Sequence, residues 1–473
     1  MQLQLAAANV LRLVVDHKLS LDDGLDRYFP QVGENRSQLQ ELCYGGCRFY
    51  FHFDAVLRQL LKKPVKPKDR IIHFLLIGAL YQINYMRTPD HAAVNQCVNA
   101  LKKTNQAWAK NLVNGVLRNY LRDHKRLIEE KHGKKPHSGH SGKTHSGTPM
   151  DTTKMSGGAS MNNSTELAHK RSFPDFFIDQ FKQSWPEHYE LILKASNARP
   201  PMTLRVNQRL NDRISYAKSL EDLGIGFELT QNSDTGLTLT KPMPVEDIPG
   251  FLEGEVSVQD ESAQMTISGL TLKPGQRILD GCAAPGGKTC AILEAQPDLA
   301  SVTAVDFKKR ISGIKQNLER LKLTANLITG DVTHMDEWWD GVMFDSVLLD
   351  IPCSGSGVIR RHPDIKHRRE PTDFAKFAEK QKQIITAGWE MLTPGGVLLY
   401  VTCSVLKQEN DEVIGEFIKE YNDAQIESLD EHFGIETQFG RQRLPGIHPG
   451  DGFYFCRLNK AAGSKRGIGH SLS

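Results

Sequence analysis

The stretch Asp280-Gly281-Cys282-Ala283-Ala284-Pro285-Gly286-Gly287-Lys288-Thr289 decides how the rest of the chain is read. Before it, Arg277 to Asp280 has the character of a short buried strand. After it, the residues suit a helix. The same alternation recurs at Ser301 to Asp306, at Asn326 to Thr329 running into Gly330-Asp331, and at Asp345 to Asp350. A helix over Phe374 to Leu392 and a strand over Val397 to Thr402 close the series. Repeated strand–helix pairs predict a parallel, doubly wound sheet whose ligands bind beyond the carboxyl ends of the strands.

The first turn is built from small residues, so a ligand can approach its backbone, and the next helix offers unpaired N–H groups. It matches neither common phosphate loop. Five residues before Gly287-Lys288-Thr289, where a Walker loop needs glycine, stands Cys282, and the G-x-G-x-x-G spacing is absent. Asp306 ends the next strand, where a carboxylate can accept both ribose hydroxyls. Asp331 follows the third strand and is placed for an adenine amino group. A single Asp at a strand end is ordinarily a helix cap. Four such ends in succession, counting Asp280 and Asp350, point instead to an adenosyl ligand without a phosphate chain, S-adenosylmethionine. The expected contacts are Cys282, Ala283, Ala284, Pro285, Gly286, Gly287 and Lys288 of the turn, with Asp306, Asp331 and Asp350. No metal is expected.

Two cysteines stand at strand ends: Asp350-Ile351-Pro352-Cys353-Ser354-Gly355 after the fourth, Thr402-Cys403-Ser404 after the fifth. Free cysteine usually behaves as a small buried hydrophobe, and Cys43, Cys47, Cys97, Cys290 and Cys456 are read that way. Thiols flanked by turn residues at neighbouring strand ends suit a shared ligand. Carbon C5 of cytosine is too weak a nucleophile to take a methyl group directly. A thiolate adding at C6 makes C5 enamine-like, and loss of the C5 proton afterwards expels the thiol. A thiol with a pKa near ~8.5 is mostly protonated at neutral pH, so Lys288 and the sulfonium would supply positive potential. Asp350 is placed to hold the pyrimidine N3/N4 edge. An exocyclic-amine methylase would carry Asn/Asp-Pro-Pro-aromatic here, but Cys353 follows Pro352.

In these residues the chain resembles the RNA cytosine-5 methyltransferase family. The resemblance implies that Cys403 is the nucleophile and that Cys353 assists product release. Gly357 to Lys366, with Arg360, Arg361 and His362, is similar to that family's substrate-side loop. Leu204-Arg205-Val206-Asn207 is similar to its RNA-facing strand. Leu39 to Gly45 and Asn111 to Arg118 look like a NusB-type all-helical RNA-binding domain. That fusion resembles the family's bacterial small-subunit rRNA branch, which implies 5-methylcytidine formation in 16S rRNA, naked or partly assembled. A monomer is expected. Gly281 stands where the family more often has a larger apolar residue. The same chemistry on tRNA, and a non-catalytic RNA-binding factor, are the alternatives; the intact cysteine motifs speak against the second.

The chain of 473 residues, 39% hydrophobic and 24% charged, has globular composition and room for several domains. The expected divisions are an all-α domain over 1–130, a His/Ser/Gly-rich linker over 131–172, an α+β subdomain over 173–265, the Rossmann-like methyltransferase domain over 266–460 and a disordered tail over 461–473. Residues 1–130 hold 19 Lys+Arg against 12 Asp+Glu, and Lys62 to Arg70 is a basic, proline-punctuated loop suited to phosphate. The histidines His132, His137, His140 and His145 lack the spacing of a metal site. The run Ile71 to Leu80 is too short to cross a bilayer. Eight irregularly spaced cysteines fit a reducing compartment, and no leader pattern precedes them, so a cytoplasmic protein without a membrane partner is expected.

Overall fold

The computed structural model describes residues 1–102, 104–129 and 172–463. The expected linker up to residue 171, with its histidines, and most of the expected tail lie outside these residues. The chain forms two compact units. One comprises Met1–Ile178 together with His362–Arg368, and the other comprises Asp179–Arg361 and Arg369–Ser473.

The first unit is helical. Leu3–His17 buries Ala6, Ala7, Val10, Leu11 and Val14 along one stripe. Ser20 caps Leu21–Val32 by accepting from the Asp23 N–H. Ile71–Tyr85 is apolar almost all round and is the central helix, with every residue from Ile71 through Ile77 buried. At Gly45, in the helix Arg36–Arg48, a Cβ would lie 1.9 Å from the Tyr81 ring, so only glycine lets this helix approach Ile71–Tyr85. The segment His362–Arg368 is held in this unit too. The Lys366 ammonium donates to the carbonyls of Arg48 (2.6 Å) and Ser172 (2.8 Å), and His367 stacks on Phe51 with centroids 5.0 Å apart. Burial pulls Lys366 well below its ordinary value and His367 down to about 3. The expectation that the run to Lys366 faces substrate is therefore corrected for its last residues, whose polar groups are spent inside the protein.

The second unit carries two sheets. Met202–Val206 (β1), Phe227–Leu229 (β2), Gly236–Leu239 (β3) and Val256–Val258 (β4) form an antiparallel sheet in the order β2-β3-β1-β4. The larger sheet contains Arg277–Gly281 (β5), Ser301–Asp306 (β6), Asn326–Thr329 (β7), Phe344–Asp350 (β8) and Leu392–Thr402 (β9). It adds Ala424–Glu427 (β10), Ile435–Glu436 (β11), Arg441–Arg443 (β12) and Phe453–Lys460 (β13). Its order is β11-β12-β13-β9-β8-β5-β6-β7, with β10 beside β13. Strands β5 to β9 pair in parallel, as the sequence predicts, but β13 lies antiparallel on β9, so the sheet is mixed. Ile278, Leu279, Val347, Leu348, Leu349, Leu398 and Leu399 are all 0% exposed, because a parallel sheet is covered on both faces. At Gly281 an added Cβ would meet Leu349 Cδ2 at 2.7 Å. The small residue gives that leucine its place.

The order of the strands reverses between β5 and β8, which opens a crevice at their carboxyl ends. Asp280, near the end of β5, does not reach into it. It is fully buried and accepts a 2.5 Å hydrogen bond from Thr289 Oγ1, fixing the following helix, and burial pushes its carboxyl up to about 7. A raised carboxyl binds its proton more tightly in the folded state, so its contribution is present at low pH and is lost as pH rises from about 4 through about 7. Asp280→Asn should remove that loss. The melting temperature of the variant, relative to the parent chain, should climb between pH 5 and pH 7.5. A difference that stays flat with pH would mean that Asp280 is charged throughout.

Candidate active site

The turn after β5 is held by contacts that its own sequence does not advertise. Cys282 adopts φ +61° and Gly286 φ +94°, and a Cβ on Gly286 would lie 3.0 Å from Ile314 Cα. Asp306 Oδ2 accepts from the Ala284 N–H at 2.8 Å and Oδ1 from the Phe307 N–H at 2.7 Å, so the end of β6 braces the turn. Arg310 sits 3.4 Å from the same carboxylate, whose side chain is 1% exposed. Asp331 accepts from the Thr333 backbone and hydroxyl at 2.9 and 2.7 Å and pairs with Lys380 at 3.0 Å. Although burial opposes ionisation, these donors hold the Asp331 carboxyl below its ordinary value.

Lys288, in the first turn of Gly287–Ala295, reaches across the strand reversal to Asp350 at the end of β8, with Nζ to Oδ2 at 2.6 Å. Burial alone would lower this ammonium, but the Asp350 carboxylate outweighs it and Cys403 adds to the upward shift. Lys288 is thus a retained positive charge beside a thiol.

Cys353 and Cys403 come together because β8 and β9 are neighbours in parallel register, Asp350 opposite Val401. Their sulfurs are 3.4 Å apart. The Gly357 N–H donates to the Cys403 carbonyl at 2.9 Å, tying the two turns at the backbone. Cys353 is buried, Cys403 partly exposed. The hydrogen bond with Cys403 and then burial push the Cys353 thiol well up, so Cys353 keeps its proton. The cysteines read as structural, Cys43, Cys47, Cys97, Cys290 and Cys456, are all buried.

One residue of this arrangement was missed in the sequence. Glu409, 0% exposed, accepts at Oε1 from the Ser354 N–H (2.6 Å) and at Oε2 from the hydroxyls of Ser354 (2.6 Å) and Ser404 (2.5 Å). It clamps the residue after each cysteine. Burial pushes its carboxyl up, and the two serines pull against that. Glu409 lies in Lys407-Gln408-Glu409-Asn410-Asp411-Glu412, which reads as a solvated run. Only the serines five and fifty-five positions away show what it does.

The residues expected to face RNA divide differently. Arg205 is 3% exposed. It makes a two-pronged pair with Glu294 at 2.8 and 2.9 Å and donates to the Gly287 carbonyl at 2.8 Å, so it buttresses the turn from behind. Asn207, equally buried, bonds the Gly254 carbonyl and the Arg209 N–H. Arg360 and Arg361 are both engaged by Asp260 and Asp451. These four are corrected from surface contacts to internal ties: carboxylates distant in sequence take the donors of the three arginines, and the Gly254 carbonyl takes that of Asn207. His362 is exposed.

Residues 267–459 match the family described as 16S rRNA methyltransferase RsmB/F, residues 173–246 an RsmF/B-like ferredoxin-like domain, and residues 1–122 the NusB family. The chain is 40% identical over 464 residues to ribosomal RNA small subunit methyltransferase B of Pseudomonas putida, spanning 98% of this chain and 99% of that one. It is 38% identical over 462 residues to the protein of the same name from Vibrio cholerae, spanning 97% and 98%. Among solved structures it resembles a methyltransferase homolog protein from Pyrococcus horikoshii, with a TM-score of 0.53 and 30% identity over 61% of this chain and 95% of that one. With likeness at this level running through the helical and the α/β parts alike, the chain belongs to the ribosomal RNA small subunit methyltransferase B family.

Proposed function

We propose that this chain methylates C5 of a cytidine in 16S rRNA, with S-adenosylmethionine as methyl donor, Cys403 as nucleophile and Cys353 as the thiol that assists release. The observation that carries this reading is the pair of sulfurs 3.4 Å apart at adjacent strand ends, next to the retained Lys288 charge. The residues present suit the donor. Around Gly287 the nearest atom to an added Cβ would be 3.6 Å away, and the first N–H groups of its helix have no helical acceptor. The turn from Cys282 to Lys288 would hold the amino-acid end. Asp306 and Asp331 have lone pairs left beyond their internal donors for ribose hydroxyls and the adenine amino group. When bound, the donor supplies an electrophilic methyl on sulfonium.

In this mechanism Cys403 Sγ, as thiolate, forms a bond to C6 of the cytosine. The electron pair displaced onto the ring makes C5 nucleophilic, and C5 takes the methyl group. Cys353 Sγ holds its proton against the neighbouring sulfur before reaction; once Cys403 Sγ is bonded to C6 and no longer accepts that proton, Cys353 releases it to solvent, and the resulting thiolate is the base that receives the C5 proton. Loss of that proton re-forms the ring double bond and breaks the C6–Sγ bond, returning Cys403 as thiolate. Asp350, oriented by Lys288, presents an acceptor to the cytosine amino edge. Glu409 keeps the two turns in register. Among the described residues, no helix is long and apolar enough to cross a membrane.

Cys403→Ala should abolish methyl transfer while leaving RNA affinity unchanged in a binding assay; turnover by this variant would refute the nucleophile. Cys353→Ala should accumulate a protein–RNA adduct that survives denaturing electrophoresis, and its absence would reverse the assignment of the two thiols. Glu409→Gln leaves two serine hydroxyls facing an amide, a loss of about 1–3 kcal/mol. It should lower kcat roughly ten- to a hundredfold, with KM for RNA unchanged. A raised KM at constant kcat would place Glu409 in RNA binding instead.

A further inference from the structure

The helical unit carries a groove of about 790 Å³ between the loop Leu60 to Asp69 and the stretch from Trp108 to Asn119. Nothing in the methyl-transfer mechanism uses it. One wall presents Lys62, Lys63, Lys66 and Lys68, all exposed. The other presents the Trp108 indole, 63% exposed, beside Asn111. Among the described residues, Asp69 is the one carboxylate lining the groove, and it is 8% exposed.

These features belong together. A tryptophan left in water gives up a large hydrophobic gain, which is recovered when a flat partner covers it. Four ammonium groups within seven residues repel one another and are relieved by a polyanion. Pro64 and Pro67 restrict the loop between them, so the lysines are presented at little further entropic cost. An aromatic face beside a basic wall is the arrangement that binds unstacked bases along a phosphate backbone. A duplex keeps its bases stacked and would leave the indole unused. An anionic membrane would need a broader apolar surface than Trp108 and the exposed Leu112 provide.

We propose that this groove holds a single-stranded segment of the RNA substrate, one base stacked on Trp108 and the adjoining phosphates on Lys62, Lys63, Lys66 and Lys68. The inference rests on the reading that the substrate is RNA, and it names a second contact on that RNA away from the modified cytidine.

The test uses the full chain, a 16S rRNA fragment containing single-stranded segments, a fully paired duplex of equal length, and vesicles of anionic phospholipid. Trp108→Ala should weaken binding of the fragment about tenfold, the lower part of the range for one stacked base, whereas Trp108→Phe should stay within threefold. Replacing the four lysines with alanine should lower the slope of log Kd against log salt by about three. Tryptophan fluorescence of the parent chain should be quenched by the fragment more than that of Trp108→Phe, and not by the duplex. Wild-type affinity in both the Trp108→Ala and the four-lysine variants overturns the proposal, as does quenching by vesicles or duplex in place of the fragment. Trp108-dependent binding by a chain that makes no 5-methylcytidine would instead sink the methylation reading and leave the groove standing.

Discussion

The parallel pairing of β8 with β9 is what the meeting of the two cysteines depends on. Asp350 lies opposite Val401, so the turns leaving the two strands start side by side, and each delivers its cysteine within a few residues. Backbone pairing alone would leave the turns free to splay. The Gly357 N–H to the Cys403 carbonyl and the carboxylate of Glu409 between Ser354 and Ser404 prevent this. Sulfurs 3.4 Å apart are therefore a consequence of sheet register plus one buried acid.

The same economy of charge runs through the rest of the α/β unit. A buried carboxylate or guanidinium is costly unless it is paired and hydrogen-bonded. Arg205 with Glu294, and Arg360 and Arg361 with Asp260 and Asp451, meet that condition while fixing the turn after β5 and the loop after Cys353. Lys288 with Asp350 is left partly open, its carboxylate side chain 29% exposed. The proposed chemistry needs a charge there that is ordered but reachable. In the helical unit the opposite holds: four lysines and a tryptophan are left facing water, which is why an RNA contact is placed there.

Much of this was legible in the linear chain. The strand ends, the small-residue turn, the two cysteine motifs and the helical front all announce themselves through local composition and spacing. The basic residues misled. Arg205, Arg360, Arg361 and Lys366 look like RNA contacts because a lone cation in a sequence shows no partner, and their partners lie tens to hundreds of positions away. Glu409 misled in the other direction, hidden in a hydrophilic run that the fold buries.

Sequence by itself determined the order of the five parallel strands and their helices, the small residues of the first turn, and the two cysteine motifs, because each is encoded within a few neighbouring residues. Tertiary structure alone decided which charges are spent internally and which remain available. It also decided that Asp280 turns inward, that β13 makes the sheet mixed, and how far apart the sulfurs stand. Those outcomes depend on which distant segments meet, and burial changes the energy of a charge only once its surroundings are assembled.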